Sequence, residues 1–303
     1  MSGKADSIKT ILFALGANFA IFVSKLVAAV LTGSGSMLAE AVHSLADCGN
    51  QGLLLLGLKR AKRPPTPDFP LGYGKAIYFW SFLVALLLFS VGGVFSVYEG
   101  LHKFSHPEPL KWPWLAVGVL VFGILAEGFS MWGCLTEVNK SRSEGQSLWR
   151  WFRDSRQSEL IVVFGEDLAA LLGLVFALIA ILLTMFTGNP IYDAIGSIVI
   201  GVLLVVVAIF VAKEVQDLLI GQSVDPQQRV AMQRFLEQQP EIKRVFNLIT
   251  LQLGPEIMVA VKAEMNRFLS PRDMIEDINK VEARFKEQFP DIRWCFFEPD
   301  IKD

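Results

Sequence analysis

The stretch "AEAVHSLADCGN", residues 39–50, places ionisable side chains inside a long apolar run. Glu40, His43 and Asp47 fall within residues 37–58, and about 20 mostly apolar residues are enough for a helix to cross a bilayer. Ionisable groups at membrane depth are costly and normally face a partner, a cavity or an ion path. The stretch therefore predicts a membrane helix that carries a polar site.

The composition of the whole chain indicates a protein with several membrane spans. Its 303 residues are 52% hydrophobic and 19% charged, and the mean hydropathy is +0.44. The formal net charge of −2 gives no reason to expect a nucleic-acid partner. Cys48, Cys134 and Cys295 lie far apart and form no CxxC pair, which argues against a disulfide framework and against a zinc finger.

Apolar runs of membrane length predict six spans, at roughly residues 9–32, 37–58, 77–100, 113–136, 159–186 and 190–212. The first run is too long for a cleaved signal peptide, so we expect it to be retained as a span. Lys and Arg concentrate in the connections 59–75 and 139–157. The positive-inside rule therefore places these two connections, and both termini, in the cytoplasm.

A change of composition near residue 220 predicts two domains, a transmembrane domain of residues 1–220 and a cytoplasmic domain of residues 221–303. Helix and strand patterns alternate in the second as 225–239 (helix), 243–253 (strand), 257–265 (strand), 270–289 (helix) and 292–299 (strand). Ser270 is expected to cap the second of these helices. The order α-β-β-α-β predicts a small α+β domain with helices on one face of a sheet. Because the other face needs cover, we expect a homodimer.

Candidate ligands for a divalent metal come from two of the predicted spans. His43 and Asp47 are four residues apart and therefore share one helix face, and imidazole and carboxylate both bind zinc and related metals. Glu166 and Asp167 are adjacent in the fifth span and point about 100° apart, so at most one is expected to face the same centre fully. The alternative for His43 and Asp47 is a buried hydrogen bond that locks two helices.

Other polar residues within the spans are weaker candidates. Asn18 offers a neutral oxygen but is more typical of helix packing, and Asp193 is expected near a helix start at the membrane surface. Glu40 shares roughly the face of His43, Asn50 follows Asp47 by three, and Glu127 stands alone in the fourth span.

Longer segments around these residues resemble the cation diffusion facilitator family of divalent-metal/proton antiporters. They are "GSGSMLAEAVHSLADCGNQ" (33–51), "FPLGYGKAIYFWSFLVAL" (69–86), "GED" (165–167), "YDAIGSIVIGVLL" (192–204) and "FFEPD" (296–300). The resemblance covers nearly the whole chain, and the "GED" form is similar to a subgroup that includes the mitochondrial zinc transporters of animals. It implies six spans, a cytoplasmic domain, and efflux of a divalent cation in exchange for protons. Zinc is the expected ion, with manganese or iron next.

The resemblance also implies the ligand set His43, Asp47 and Asp167, with either Glu166 as a compensating ligand or water completing the shell. The fifth-span histidine of zinc-transporting members falls on Val163, which cannot bind a metal. The implied partners are the transported cation, protons, membrane lipids and a second copy of the chain, with no permanently bound cofactor. We expect the inner membrane of a bacterium as the location.

Accessory metal sites of the family lack their histidines here. The loop with Asp68 and Tyr73 contains no His, and no His follows His106. Glu298 and Asp300 match an acidic ending of some relatives, whereas Cys295 is predicted to be packed or at an interface. His102 and His106 are predicted to be solvated loop residues.

Two other classes of function remain open from the sequence. A metal-sensing or scaffold protein that has lost transport is motivated by Val163. A membrane-embedded metallohydrolase would use the same ligands to activate water, but it would need a general base and a substrate entrance, and the sequence has no HExxH motif.

Overall fold

The computed structural model of the protein describes residues 3–142, 145–266 and 270–302, with side chains from residue 18 onward. Ser143 and Glu144 of the predicted basic connection, and the side chains at the start of the first predicted span, lie outside this part. The chain forms two compact units. The first unit consists of Met1–Leu56, Trp80–Gln146 and Glu159–Glu214. The second unit consists of Gly57–Phe79, Ser147–Ser158 and Val215–Asp303. The predicted division after residue 220 stays a prediction.

Long helices lie at each of the predicted spans: α1 Gly3–Thr32, α2 Gly35–Ala61, α3 Ala76–Leu87 continued by α4 Phe95–Ser105, α5 Pro113–Ser141, α7 Ser158–Thr187 and α8 Ile191–Ile220. In the described part of the chain, four are long and apolar enough to cross a membrane, namely Ala76–Ser105, Pro113–Ser141, Ser158–Thr187 and Ile191–Ile220. The apolar stretch Asn18–Thr32 of α1 is shorter. The predicted helical membrane protein is confirmed.

The third predicted span is not a continuous α-helix. A π-helical segment, Leu88–Val94, joins α3 to α4, and π-helical turns occur frequently at functional sites. A Cβ on Gly93 would come within 2.7 Å of Val205 on α8, and one on Gly92 would lie 3.8 Å from Nδ1 of His43. Gly93 therefore allows this segment to approach α8 closely, whereas the contact of Gly92 with the His43 ring is of ordinary van der Waals length.

The C-terminal part of the second unit has the predicted order α-β-β-α-β: α9 Pro226–Glu237, β1 Ile242–Leu253, β2 Glu256–Met265, α10 Pro271–Gln288 and β3 Ile292–Pro299. The sheet order is β1-β2-β3, with β1 antiparallel and β3 parallel to β2. Ser270 accepts a hydrogen bond from the backbone of Asp273, so the predicted N-cap is confirmed. Val259, Val261, Val281 and Phe285 belong to the core between sheet and helices.

The opposite face of the sheet carries two apolar rows across its strands. Each row has one residue from each strand, paired through the Cα atoms. One row is Ile249, Ala260 and Phe296, and the other is Leu251, Met258 and Trp294. Ile249 and Phe296 are 54% and 55% exposed. Ile292, which simple alternation places with Trp294 and Phe296, is instead buried in the core, because the register shifts between Ile257 and Met258. Simple alternation fails here because Arg293 has no Cα partner on β2.

Two connections between the long helices also belong to the second unit. The basic connection contains a short helix that the sequence did not predict, α6 Leu148–Asp154, capped by Ser147. After it, Arg156 Nε donates to the backbone oxygen of Ser223 at 2.6 Å. At the start of α3, the Tyr78 hydroxyl accepts from the backbone N–H of Gly254 at 2.9 Å. These bonds fix both connections to the segment before α9 and to the β1–β2 turn.

Candidate metal site

Helix α2 presents His43 and Asp47 on one side, as their spacing predicts. His43 Nδ1 lies 3.7 Å from Asp47 Oδ1, and the His43 side chain is fully buried. Both ring nitrogens of His43, and Asp47 Oδ1, are buried without a hydrogen-bond partner among the described residues. At 3.7 Å the pair is too far apart for a hydrogen bond, so the predicted alternative of a locking hydrogen bond is not observed.

A cavity of about 90 Å³ lies between α1, α2, α5 and α7. Its walls are mostly polar, and they are formed by Asn18, Ile21, Ser44, Asp47, Gln51, Glu127, Ser130, Val163, Glu166, Asp167 and Ala170. A cavity of this size has room for an ion together with water. Polar walls inside a bundle of apolar helices are the arrangement expected of an ion path.

Glu166 and Asp167 both line this cavity, although adjacent helical residues were expected to diverge. They are held by different helices. Glu166 accepts a hydrogen bond from Asn50 of α2, and Asp167 accepts one from Ser130 of α5 at 3.2 Å. Both carboxylates therefore reach the cavity, each from its own direction, and the expectation that at most one of them fully faces the metal stays a prediction.

The predicted ligands are therefore only partly brought together. Asp47, Glu166 and Asp167 share the cavity with Val163, but His43 lies behind Asp47, beside Gly92. Within the described ranges, no three His, Cys, Asp or Glu side chains are close enough together to hold a metal ion as they stand. Binding by these residues requires their side chains to move together, and the predicted ligand set stays a prediction.

Sequence reasoning missed a buried ion pair beside the cavity. Lys25 of α1 is fully buried, and its Nζ lies 3.2 Å from Glu40 Oε2 and donates to Ser44 Oγ at 2.8 Å. Ser44 also lines the cavity. The available signal was a lysine within the apolar run 9–32, which is as costly there as the acidic residues of α2. The burial of the Glu40 carboxylate is thus explained by its ion pair with Lys25.

Asp193 caps the start of α2 from the neighbouring helix α8. Its carboxylate accepts hydrogen bonds from Ser34 Oγ and the backbone N–H of Gly35, both at 2.6 Å, and from Ser36. The side chain is only 2% exposed. A carboxylate at a helix N-terminus satisfies free N–H groups and complements the helix dipole, so Asp193 has a structural explanation.

The weaker sites outside the cavity show little that would bind a metal. His102 and His106 are exposed, with ring centroids 5.3 Å apart. Cys295 packs against the core of the second unit, as predicted for a packed cysteine, and burial raises the pKa of its thiol to about 11. A hydrogen bond from Lys262 lowers the pKa of Asp300, and the two form an ion pair at 3.1 Å.

Comparison with known proteins decides the family. The sequence model of the cation efflux transmembrane domain matches residues 11–220. The chain belongs to the cation diffusion facilitator family. The resemblance drawn from the sequence is thus confirmed, and this cation diffusion facilitator is an integral membrane protein of a transporter family.

Similar proteins carry names that mention zinc. The chain is 36% identical over 259 residues to "Proton-coupled zinc antiporter SLC30A9, mitochondrial" of Xenopus laevis, an alignment that covers 85% of this chain and 46% of that protein. The human protein of the same name is 32% identical over 271 residues, 86% and 48% of the two chains. "Zinc transporter ZitB" of Escherichia coli (strain K12) is 26% identical over 261 residues, 86% and 78%. This chain spans about half the length of the two animal proteins.

Proposed function

We propose that this cation diffusion facilitator exports a divalent metal ion from the cytoplasm in exchange for protons. Zinc is the favoured ion, with manganese or iron as the alternatives. The observation that carries the proposal is the polar cavity, which Asp47 lines from α2 and Glu166 and Asp167 line from α7. The names of the relatives, a zinc antiporter and a zinc transporter, support zinc and proton coupling.

Exchange follows from the chemistry of these side chains. Carboxylate and imidazole bind a metal only in their deprotonated forms, so metal entering from one side releases protons, and protons arriving from the other side release the metal. Asp47 Oδ1 lacks a hydrogen-bond partner among the described residues, so an incoming cation need not displace one. His43 is one helical turn away and reaches the ion by a side-chain rotation toward Asp47.

Purified protein in liposomes tests this proposal. We expect zinc entry to be accompanied by proton movement in the opposite direction, read by a metal dye and a pH dye in the same vesicles. Asp47→Ala and Asp167→Asn should abolish both signals, and Glu166→Gln should weaken them, because the family resemblance selects Asp167 as the fifth-span ligand. Glu137→Gln is the control, because Glu137 is 60% exposed and does not line the cavity.

The outcomes separate the classes of function. A folded parent that binds zinc without moving it would indicate a metal sensor or scaffold, which Val163 also motivates. Parental flux in Asp47→Ala would show that the cavity is not the path.

We further propose a homodimer with both termini in the cytoplasm. The outer face of the sheet supports the dimer, because Ile249 and Phe296 are more than half exposed there and packing against a second sheet would cover them. The basic connections 59–75 and 139–157 support the orientation. As membrane we propose the inner membrane of a bacterium, whereas the animal relatives are named as mitochondrial proteins. Cell fractionation, with a reporter fused to the C-terminus, tests location and orientation together.

A further inference from the structure

Glu127 is the fourth carboxylate of the cavity and the only one contributed by α5 among the described residues. It lies at the middle of Pro113–Ser141, a helix long and apolar enough to cross a membrane. Its helix neighbours Leu125 and Phe129 are 69% and 72% exposed, as expected of side chains that face lipid. A carboxylate at that depth is costly unless a cation or a hydrogen-bond donor meets it.

The surroundings of Glu127 supply no such group. Among the described residues it makes no hydrogen bond and no ion pair, whereas Glu166 and Asp167 each accept a hydrogen bond. The nearest buried cation, Lys25, is paired with Glu40. Glu127 is therefore a half-buried carboxylate that lines a polar cavity and has no protein partner of its own in the described part of the chain.

The position of Glu127 relative to the fifth span is fixed by its own helix. Ser130 follows Glu127 by three residues, on the same side of α5, and donates its hydrogen bond to Asp167. Val163 lines the same cavity one turn before Asp167, and the family resemblance implies a nitrogen ligand at this position, which valine cannot supply. His43 is an independent indication of a cation site, because it is fully buried beside Asp47 and neither of its ring nitrogens has a hydrogen-bond partner among the described residues.

We propose that Glu127 is a ligand of the transported cation and takes the place of the nitrogen ligand that Val163 cannot supply. This inference rests on the proposed function. The site then holds Asp47, Asp167 and Glu127 as oxygen ligands, with Glu166 beside them, and His43 as its one nitrogen ligand. An oxygen-rich set of this kind accepts manganese as well as zinc, because manganese prefers carboxylate and water, whereas zinc also binds nitrogen well.

The test is metal binding by the full chain in mild detergent, with zinc and manganese as separate probes in calorimetry. Glu127→Gln keeps the shape of the side chain and removes its charge. We expect it to weaken binding of both ions by about tenfold or more, manganese more than zinc, since loss even of groups that support a ligand costs about 10–100-fold. Glu137→Gln makes the same change on the same helix at an exposed position and should bind as the parent does.

A double variant gives the sharper readout. If Glu127 stands in for a nitrogen ligand, Val163→His should restore zinc binding to Glu127→Gln but leave manganese binding weak. The effects of the two substitutions on zinc affinity should therefore be non-additive, which a merely structural role of Glu127 would not produce. Glu127→Asp keeps the charge on a shorter side chain and should bind both ions with intermediate affinity.

The outcomes distinguish this inference from the function on which it rests. Parental affinity for both ions in Glu127→Gln, while Asp47→Ala loses binding, would overturn the role of Glu127 and leave the proposed transport intact. If Glu127→Gln does not fold, parental affinity in Glu127→Asp would overturn it equally. A folded parent that binds neither ion would overturn both proposals.

Discussion

Lys25 and Glu40 form an ion pair in which neither side chain is exposed, with Nζ 3.2 Å from Oε2. The pair joins α1 to α2 one turn before His43. Oε1 of Glu40 lacks a hydrogen-bond partner among the described residues, so the lysine is its principal compensation.

Breaking this pair from one side should be strongly destabilising. Lys25→Met leaves the Glu40 carboxylate buried without a cation, which costs about 3–5 kcal/mol in free energy of unfolding. Lys25→Met with Glu40→Met should recover most of that loss, because two apolar side chains of similar length replace both charges. The measurement is chemical unfolding in mixed micelles.

Lys140→Met is the matched control for the buried pair. Lys140 and Glu137 also form an ion pair, but the two side chains are 65% and 60% exposed. The control should therefore cost less than about 1 kcal/mol. Equal stability of Lys25→Met and the parent would show that Glu40 is compensated by another group.

Removing the cap on α2 should lower stability without changing metal affinity. Asp193→Ala leaves the donors of Ser34, Gly35 and Ser36 without their acceptor in a buried place, and such losses cost about 1–3 kcal/mol. Asp217→Ala on the same helix is exposed and should cost little. Unfolding curves and zinc calorimetry on both variants provide the check, and lost zinc affinity in folded Asp193→Ala would contradict a purely structural role.

The sequence predicts the elements of this fold well, because they depend on local properties. Apolar runs of sufficient length fix the long helices, and Ser270 before Pro271 marks the start of α10. The π-helical segment Leu88–Val94 could not be predicted, because one extra residue per turn leaves no mark in a uniformly apolar run. The register shift that buries Ile292 depends on how β3 pairs with β2, and the alternation of apolar and polar residues along β3 does not reveal that pairing.

The sequence predicts which residues belong to the site better than it predicts how they are arranged. Isolated carboxylates in apolar helices identified Asp47, Glu166 and Asp167, which do share a cavity. His43 lies beside Gly92 of the π-helical segment, and helical periodicity does not contain such a tertiary contact. The same holds for Glu127, which was a weak candidate until packing placed α5 against α7.

The thiol of Cys295 should react slowly at neutral pH. Burial raises its pKa to about 11, Glu282 adds to the shift, and Lys286 partly offsets it. Because the thiolate is the nucleophile, alkylation in a Cys48→Ser/Cys134→Ser background should keep accelerating as the pH rises above 9. Glu282→Gln should move the whole rate profile to lower pH. The alkylation rate of Cys295 is measured with brief pulses of a small alkylating reagent, followed by mass spectrometry. A rate that reaches a plateau near pH 9 would contradict a thiol pKa raised by burial.

The outer face of the sheet yields the last prediction, which concerns assembly. Ile249, Ala260 and Phe296 are aligned across the three strands, next to the row of Leu251, Met258 and Trp294. An apolar face of this kind, with Ile249 and Phe296 more than half exposed, is stabilised by packing against a second copy. The next row, Asn247, Lys262 and Glu298, is polar and suits the rim of such an interface.

Placing a charge in the middle of this face should separate the protomers. We expect Phe296→Asp to weaken dimerisation by about 2 kcal/mol or more, as for an interface hot spot, which is about 30-fold in dissociation constant. Ile275→Asp is matched to it, because Ile275 is also 55% exposed but lies on α10 rather than on the sheet. Light scattering on the full chain in mild detergent, across a dilution series, measures the mass of the assembly. Both variants add one negative charge at an equally exposed position. The interface is therefore assigned to the sheet only if Phe296→Asp loses the dimer and Ile275→Asp keeps it. A dimeric Phe296→Asp would place the contact elsewhere, and a monomeric parent would show that the apolar rows are covered by something other than a second copy.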